Sequence, residues 1–532
     1  MSSFSSFLRI SSSLHLSAGR STGRVRSRAL ALALVGGVGM VAGACSAVLD
    51  FTECSADTEC SAFFTEDQKP MRCVASQCVP RTKCTENSQC TGLGEGYICS
   101  LTGACAATTN DQCGAPVYPG GEPSDEVVFI GSIVDKSGPD AALGKTAEAA
   151  FIQALEDFDS GGGVLQSGKK VALIPCDSGG SVTNAEAAAK HLGFALNVPA
   201  ILGPLDDDEL GRVGEKVSIV SGALAYTNSP TATAELGFDD LSLVWLTNIN
   251  SVFQGRSFGY HLAYEIANNT FVDPKATLLF AEDDYGYSMY HALATEKPEG
   301  ELNRIPEISS QVISSYRDVA DGKTTLDTFG ETDILIIFGG SEVAELLTHY
   351  NASGKEWPTR VYVAQRSFAA ILALGDTTLI KNLRAIGPDL ETENLAAVRT
   401  RLGDDKAPVE AGLAYDAAMT TLLAMSVHSG SQPITGVAIR SAMDRLNDPM
   451  GVPVSYGESP ATFVKGAISA IGDGKTINVD GASGPLDYRD DGTICGNMVA
   501  YTLSEDAKQL VPIDRFATDC PDAVTGEWTP AG

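Results

Sequence analysis

The residues of this sequence most able to do chemistry lie near its start, where ten of its 13 cysteines fall between residues 45 and 113. Eight of them form two series of four. In each series the first two cysteines are six residues apart, and the two series begin 30 residues apart. A pattern that repeats at a fixed spacing indicates two copies of one small unit. The eight disulfide candidates are Cys54, Cys60, Cys73, Cys78, Cys84, Cys90, Cys99 and Cys105.

Thiols at this density form disulfides or bind metal. Polar stretches such as residues 85–89 separate the cysteines, and large apolar side chains are few. A short exported unit without an apolar core depends on disulfides, and we expect two in each unit. Four cysteines allow three pairings, and the spacing does not select one. Zinc is the alternative, but neither the spacing nor the compartment favours it, so we predict no metal site.

An export signal precedes these units and ends at Cys45. Arginines between residues 20 and 28 come before an apolar run at residues 29–41 and the small residues 42–44. The run is too short to span a membrane. A cysteine directly after small residues resembles the signal of bacterial lipoproteins. The resemblance implies that Cys45 is lipidated and anchors a cell-envelope protein to a membrane, facing the periplasm or the cell surface.

The overall charge excludes some partners. The chain has 67 Asp and Glu residues against 37 Lys and Arg, a formal net charge of −30. Such a surface repels nucleic acid and anionic lipid, and we expect no nucleic-acid partner. No apolar run after Cys45 reaches the length of a membrane span.

No combination of residues predicts catalysis. None of the six histidines forms the His-x-x-x-His pair of a zinc protease, and no Gly-x-Ser-x-Gly motif occurs. The adjacent acids Asp283 and Asp284 could suit a glycosidase, but such pairs more often form turns. Cysteines outside the repeats have no nearby histidine and are expected to form structural disulfides; they are Cys113, Cys176, Cys495 and Cys520. We therefore expect neither an enzyme nor a cofactor.

Alternating strands and helices after Ser124 must position any binding residues. Residues 127–134 form a continuous apolar run, as expected of a parallel strand covered on both faces. About 400 residues of such alternation predict an α/β fold with two parallel sheets wrapped by helices. Ligands bind such sheets beyond the carboxyl ends of the strands. Further predicted strands lie at 171–175, 199–202, 223–226, 276–281, 334–338 and 361–364.

The loops after these strands carry short motifs in a fixed order. They are Ser137-Gly138-Pro139, Asp177, Ile201-Leu202-Gly203-Pro204, Thr227-Asn228-Ser229-Pro230, Asp284-Tyr285-Gly286, Gly339-Gly340, Tyr415-Asp416-Ala417 and Gly484-Pro485-Leu486-Asp487-Tyr488. Over roughly residues 126 to 510 this series resembles the type I periplasmic solute-binding proteins, in particular the leucine and branched-chain amino-acid branch. The resemblance implies two doubly wound parallel-sheet lobes, joined by a three-strand hinge, that close on a solute.

The resemblance also divides the chain into segments. A signal peptide (1–44), a cysteine-rich tandem repeat (45–113) and a Gly- and Pro-rich linker (114–124) precede the lobes. Lobe one comprises residues 125–246 and 387–484. Lobe two comprises residues 247–386 and, with the C-terminal tail, 485–532.

Ligand-binding candidates follow from matching motif positions. In lobe one they are Ser137, Asp206, Asp207, Ser229 and Thr231; in lobe two they are Tyr285, Ser341 and Arg366; Tyr415 belongs to the second part of lobe one. Ser229 and Thr231 lie in a polar loop whose hydroxyl and N–H groups could hold a carboxylate. Helix capping by these two residues is an equally good interpretation.

Three departures from the family pattern concern the ligand. Four acids, residues 206–209, replace the small hydroxyl residues that follow the third strand in the amino-acid binders, and they would repel a ligand carboxylate. Gln365 and Arg366 stand near an acidic position of lobe two, and Leu143 replaces an aromatic residue. The acids could instead cap a helix N-terminus. We hypothesise a ligand that binds in reversed orientation or is not a standard α-amino acid; micromolar binding of leucine or valine would contradict this.

The resemblance therefore implies a membrane-anchored lipoprotein that binds a small polar, amino-acid-like solute for an ABC-type transporter, with the transporter permease as its partner. The alternative is a sensing or adhesive surface lipoprotein that signals to a membrane receptor and has no transport role.

Overall fold

A computed structural model describes residues 71–74, 77–80, 84–93, 96–100, 103–121, 126–138, 140–228, 238–268, 271, 274–294, 310–379, 382–428, 433–489, 492–494, 496–518 and 526–531. The predicted export signal and several residues with predicted roles lie outside them; these are Cys45, Cys54, Cys60, Ser229, Thr231, Cys495 and Cys520.

The cysteine-rich part contains two antiparallel hairpins of similar design. In each hairpin the last two cysteines of a series are opposite each other, Cys73 with Cys78 and Cys99 with Cys105. The second unit contains the disulfides Cys84–Cys99 and Cys90–Cys105, which confirms the prediction of two disulfides there. The strands are β1 (Met71–Val74), β2 (Gln77–Pro80), β3 (Tyr97–Cys99) and β4 (Cys105–Ala107), with a 3-10 helix at Asn87–Leu93.

A parallel five-stranded sheet forms the centre of lobe one, in the order β6-β5-β7-β8-β9. Strand β5 is the continuous apolar run predicted from the sequence, and seven of its eight residues are buried because helices cover both faces. The elements are β5 (Val127–Val134), α1 (Ala141–Ser160), β6 (Lys170–Asp177), α2 (Val182–Lys190, continued as a π-helix over His191–Leu196), β7 (Ala200–Leu202), α3 (Asp207–Val213, continued as a π-helix over Gly214–Ser218 and a helical turn at Ile219–Ser221), β8 (Leu224–Thr227) and β9 (Val244–Leu246).

The segment before this sheet, predicted as a linker, is attached to the edge strand β6. The N–H of Gly114 donates to the carbonyl of Pro175 (2.8 Å), and Val117 exchanges two main-chain hydrogen bonds with Leu173 (2.7 and 3.0 Å). A disulfide joins Cys113 to Cys176 at the same edge. The cysteine-rich part is therefore fixed to lobe one by a covalent bond and by strand-like pairing.

Lobe two contains an eight-stranded sheet in the order β11-β10-β12-β13-β14-β18-β19-β20. The first five strands are parallel. Three of them, β10, β12 and β13, lie where the sequence predicts strands, whereas β11 and β14 were not predicted. The elements in the first part are α4 (Ser251–Ala267), β10 (Lys275–Ala281), α5 (Asp284–Ala294), β11 (Ser310–Tyr316), α6 (Val319–Thr328), β12 (Ile334–Phe338), α7 (Val343–Ala352), β13 (Arg360–Ala364), a 3-10 turn at Gln365–Ser367, α8 (Phe368–Leu374), a 3-10 turn at Thr377–Leu379 and β14 (Leu383–Pro388).

The chain then returns to lobe one. Helix α10 is apolar on all sides and almost entirely buried, because it packs on α1 and on neighbouring helices in the main core of lobe one. A small sheet, β15-β16-β17, completes this part. The elements are α9 (Glu393–Leu402), α10 (Val409–Val427), α11 (Gly436–Met443), β15 (Val452–Ser455), α12 (Pro460–Gly472), β16 (Ile477–Gly481) and β17 (Gly484–Pro485).

The last strands extend the sheet of lobe two in antiparallel fashion. They are β18 (Met498–Leu503), β19 (Leu510–Thr518) and β20 (Gly526–Pro530). From the sequence, residues 485–532 are expected only to complete lobe two and form a C-terminal tail, so these strands were not predicted.

Three neighbouring segments connect the lobes, after Leu246, after Pro388 and before Met498. The N–H of Leu246 donates to the carbonyl of Gly492 (2.9 Å), and the N–H of Asp389 donates to the carbonyl of Asn497 (2.9 Å). The predicted fold of two α/β lobes joined by a three-strand hinge is confirmed. Within the described part of the chain, no helix is both long and apolar enough to cross a bilayer.

Candidate functional site

The carboxyl ends of strands from both sheets face each other between the lobes, where Arg366, after β13, contacts Asp207, after β7. This region is called the cleft. The loop after β5 is held by the Asp135 carboxylate, which accepts hydrogen bonds from the N–H groups of Gly138 (2.6 Å) and Asp140 (3.0 Å). The carboxylate of Asp177, the last residue of β6, accepts from the N–H of Lys136 (2.8 Å). Ser137, predicted to contact a ligand, is exposed on this loop.

Arg366 of lobe two joins the two lobes. Its Nη1 lies 2.9 Å from Asp207 Oδ2 of lobe one and 3.5 Å from Asp283 Oδ2 of lobe two. Its Nη2 lies 3.9 Å from Asp206 Oδ2. Burial alone would lower the pKa of Arg366, but Asp207, Asp283 and Asp206 raise it above its ordinary value. Arg366 is therefore a fixed positive charge between the lobes.

The structure supports both sequence interpretations of the acids at 206–209. Asp206 is the N-cap of α3, and its Oδ1 accepts from the N–H of Glu209 (3.1 Å), as expected for helix capping. Asp206 and Asp207 also face Arg366, as expected if lobe one is acidic and lobe two basic. The two charged faces contact each other directly in this conformation.

Tyr285 lies beneath the guanidinium of Arg366. The centre of its ring is 5.1 Å from the guanidinium carbon, within the range of a cation–π interaction. Its buried hydroxyl donates to Gln254 Oε1 (3.0 Å). Gln254 Nε2 donates in turn to Gln365 Oε1 (3.3 Å) and to the carbonyl of Ile249 (2.7 Å) in the first hinge segment. Hydrogen bonds thus connect the cleft to the hinge.

Carboxyl groups around Arg366 are crowded. Burial raises the pKa of Asp140, although Arg366 lowers it. Burial likewise raises the pKa of Asp283, against the effect of Arg366, and Glu342 raises both values further. Burial, with repulsion from Asp206, raises the pKa of Glu209 to about 7. One guanidinium therefore does not neutralise the acids of the cleft.

Two other predicted ligand residues do not join this group. Ser341 is exposed at the start of the turn before α7. Tyr415 is fully buried in the core of lobe one, where its hydroxyl donates to Asp157 Oδ2 (2.6 Å) and Arg401 lies over its ring. Arg401 Nε also pairs with Asp157 Oδ2 (2.8 Å). These contacts indicate a structural role for Tyr415.

We expect Tyr415→Phe to lower the free energy of unfolding by about 2 kcal/mol, because a hydrogen bond to a buried carboxylate is lost. Solute affinity should not change. Denaturant unfolding and calorimetric titration would measure the two effects. Tyr287→Phe, at a half-exposed tyrosine, is the control and should alter neither. A loss of affinity without a loss of stability in Tyr415→Phe would place Tyr415 in the binding site instead.

Sequence reasoning missed several cleft residues. Asp140 follows the Ser137-Gly138-Pro139 motif directly, and Glu342 follows Gly339-Gly340-Ser341. Asn248 lies in the first hinge segment and donates to Gln365 Oε1 (3.3 Å). The position of Asp140 and Glu342 directly after strand-end motifs was a usable signal, whereas nothing local marks Asn248.

The described residues offer no metal site that is free to bind an ion. Cys84, Cys90 and Cys105 are the only close group of potential ligands found among them, and all three are in disulfides. Their sulfur atoms are therefore unavailable as thiolate ligands.

Several solved structures with this architecture are named as substrate-binding or solute-binding proteins. Residues 127–231 match the family model described as periplasmic binding protein. No curated protein sequence matches the chain significantly. Solved structures match over about three quarters of it, at low sequence identity.

Three of these structures are described with three different solutes. The branched-chain amino acid transporter substrate binding protein of Streptococcus pneumoniae, in complex with isoleucine, is 13% identical with a TM-score of 0.54, covering 76% of this chain and 100% of that one. A fatty acid ABC transporter substrate-binding protein from Thermomonospora curvata is 14% identical with a TM-score of 0.53 (73% and 92% covered). A solute binding protein from Rhodopseudomonas palustris, in complex with 3,4-dihydroxybenzoic acid, is 13% identical with a TM-score of 0.52 (74% and 98% covered).

Proposed function

Because the chain has the fold of the type I periplasmic solute-binding proteins, we propose that it captures a small polar solute between its two lobes for an ABC-type transporter. The observation that supports this most is the meeting of Arg366 with Asp207 and Asp283, since it brings charged groups of both lobes to the strand ends where such folds bind ligands. The chemistry suits an amino-acid-like solute that carries charged groups.

Capture would use the hinge. A solute that contacts both lobes favours the closed conformation by the free energy of the contacts that only closure allows. Arg366 already supplies a contact of this kind between the lobes. A bound solute must therefore either share the cleft with Arg366 or replace its partners.

We propose an extracytoplasmic, membrane-anchored location, with Cys45 as the lipidated residue. The disulfides at Cys84–Cys99, Cys90–Cys105 and Cys113–Cys176 fit an oxidising compartment. Mass spectrometry of the mature N-terminus would show a lipid-modified Cys45. An unmodified N-terminus elsewhere would contradict the anchor.

Binding without catalysis is part of the proposal. His261, fully buried in lobe two, contacts Tyr362 and Asp514 and packs against Trp528, so both of its ring nitrogens have partners within the lobe. The acids Asp283 and Asp284, considered above for a glycosidase, lie at the start of α5, where Asp283 accepts from the N–H of Gly286 (2.6 Å). Incubation with candidate solutes should yield no product.

Mass spectrometry of small molecules released from the purified, denatured protein would test the proposal. We expect a polar solute of low molecular mass at near-stoichiometric amounts, and its readdition should reduce the radius of gyration in X-ray scattering as the lobes close. If neither the released molecules nor a panel of amino acids, organic acids and amines binds, the solute-binding function is wrong.

A sensing role is the second candidate, supported by the disulfide-bonded unit fixed on lobe one, which offers a surface beyond the solute cleft. About a quarter of the chain has no counterpart in the Streptococcus protein. Affinity purification with and without solute would separate the two roles. Enrichment of a transporter permease supports import, and enrichment of a receptor supports sensing.

A further inference from the structure

The acidic side chains in the cleft outnumber the one basic side chain, Arg366, that joins the lobes. Asp206, Asp207 and Asp283 contact Arg366. Asp140, Asp208 and Glu342 act on the same guanidinium or on its partners. Three carboxyl groups thus contact one positive side chain, and three more lie near them. Desolvation is the first cause of the raised pKa values of Asp140, Asp208 and Asp283, although the side chains of Asp140 and Asp208 remain exposed.

Buried hydrogen-bond acceptors provide a second, independent observation. Within the described residues, Asn228 Oδ1 and Asn248 Oδ1 are buried and accept no hydrogen bond. The two side chains are at most 6% exposed. Asn228 directly follows β8 at the cleft edge, and Asn248 contacts Gln365, the neighbour of Arg366. An unpaired buried acceptor is costly, so these atoms favour a donor from a ligand.

Orientation of the two amides is fixed by their other contacts. Asn228 Nδ2 donates to the carbonyl of Glu410 (3.4 Å), and Asn248 Nδ2 donates to the carbonyl of Asn228 (3.3 Å). Exchanging oxygen and nitrogen would place two acceptors against each other in both cases. In both side chains the buried atom without a hydrogen-bond partner is therefore the amide oxygen.

Arg366 could instead be the receptor for a ligand carboxylate. Its nitrogens already face Asp206, Asp207 and Asp283, and its planar face lies over Tyr285. A carboxylate entering there would have to displace these partners and would approach uncompensated acids. Electrostatics thus favours a positive ligand over a negative one.

We propose that the solute is a cation, bearing an ammonium or guanidinium group that donates hydrogen bonds to the surplus carboxylates and amide oxygens of the cleft. This rests on the proposed solute-binding function and names its substrate class. The environment of Arg366, an aromatic face with carboxylates on its rim, is itself one that stabilises a guanidinium.

Calorimetric titration of the purified full-length protein with spermidine and L-arginine, against L-leucine and L-glutamate, tests the proposal. We expect the two cations to bind at least about tenfold more tightly than leucine and glutamate, with affinity that falls in high salt. If leucine or glutamate binds more tightly, the cation inference is wrong while solute binding stands. If none of the four binds and no solute is released from the denatured protein, the binding function itself fails.

Arg366→Gln separates the two roles of the arginine. Removing the competing cation should increase spermidine affinity several-fold, whereas a carboxylate receptor would lose its ligand. Asp283→Asn should weaken spermidine binding about tenfold, and Asp405→Asn, at an exposed acid outside the cleft, is the charge-matched control. Melting temperatures of the unliganded variants identify any loss of folding. Loss of spermidine binding in folded Arg366→Gln would overturn the proposal.

Discussion

Replacing Glu265 by Gln is expected to lower the free energy of unfolding by about 3–5 kcal/mol. Glu265 is buried in lobe two, where its Oε1 pairs with Arg360 Nε (3.0 Å) and Arg384 Nε (3.1 Å). The hydroxyl of Tyr362 donates to Oε2 (2.5 Å). Gln would leave two arginines without a countercharge and would turn an N–H₂ group toward donors. Denaturant unfolding of the variant measures the loss.

Glu345→Gln is the matched control, since Glu345 pairs with Lys323 but is 59% exposed. An exposed pair contributes little, so we expect a change below about 1 kcal/mol. Equal losses in the two variants would contradict the role assigned to the buried network.

The effect of Glu265→Gln should also depend on pH. Burial alone would raise the pKa of Glu265, but Arg384, His261, Tyr362 and Arg360 together lower it below its ordinary value of 4.5. A carboxyl with a lowered folded-state pKa stabilises the fold above its ordinary pKa, and this stabilisation is lost as the pH falls through the folded-state value. The difference between wild type and variant should therefore be largest near neutrality and shrink in acid. A difference that grows in acid would refute this.

Gly144→Ala is expected to destabilise the protein by about 3 kcal/mol or more. A Cβ at Gly144 would lie 1.6 Å from the carbonyl oxygen of Asp135, a main-chain atom that cannot move aside without disturbing the cleft loop. The first turn of α1 packs directly on that loop. We expect solute affinity to fall together with stability, measured by thermal unfolding and titration.

Gly466→Ala is the matched control for this change. Gly466 lies within α12 on the exposed side, and a Cβ there meets no atom within 4 Å. Alanine is the better helix former, so this variant should gain up to about 1 kcal/mol. Similar behaviour of the two variants would mean that the close contact at Gly144 is unimportant.

Most of the parallel strands could be predicted from the sequence because they are continuous apolar runs between loops. The parallel strands β11 and β14 contain polar residues and were not predicted. Strands β5 and β12 begin and end at the predicted residues, 127–134 and 334–338. The antiparallel strand β19 could not be predicted, because it mixes apolar and polar residues without a regular period and pairs with neighbours on both sides only once the sheet has formed. Its pattern carries no information about which sheet it joins.

Only some residues of the cleft could be predicted from the sequence. Strand-end motifs identified Asp206, Asp207, Tyr285 and Arg366, which the structure brings together. That Arg366 contacts Asp207 follows from tertiary packing across 159 residues, and no local pattern encodes it. Tyr415 shows the opposite case, since a motif position pointed to the ligand while the side chain is used in the core.

Attachment of the cysteine-rich part to β6 makes the two lobes unequal, because it fixes the N-terminal part of the chain to lobe one. Whatever holds the N-terminal end of the chain also holds lobe one, through Cys113–Cys176 and the pairing of Val117 with Leu173. Among the described residues, the contacts of lobe two with lobe one lie at the hinge and the cleft. Closure would therefore move lobe two relative to the cysteine-rich part. A membrane-bound partner would then meet lobe one in a fixed position. It could detect a bound solute from the displacement of lobe two alone.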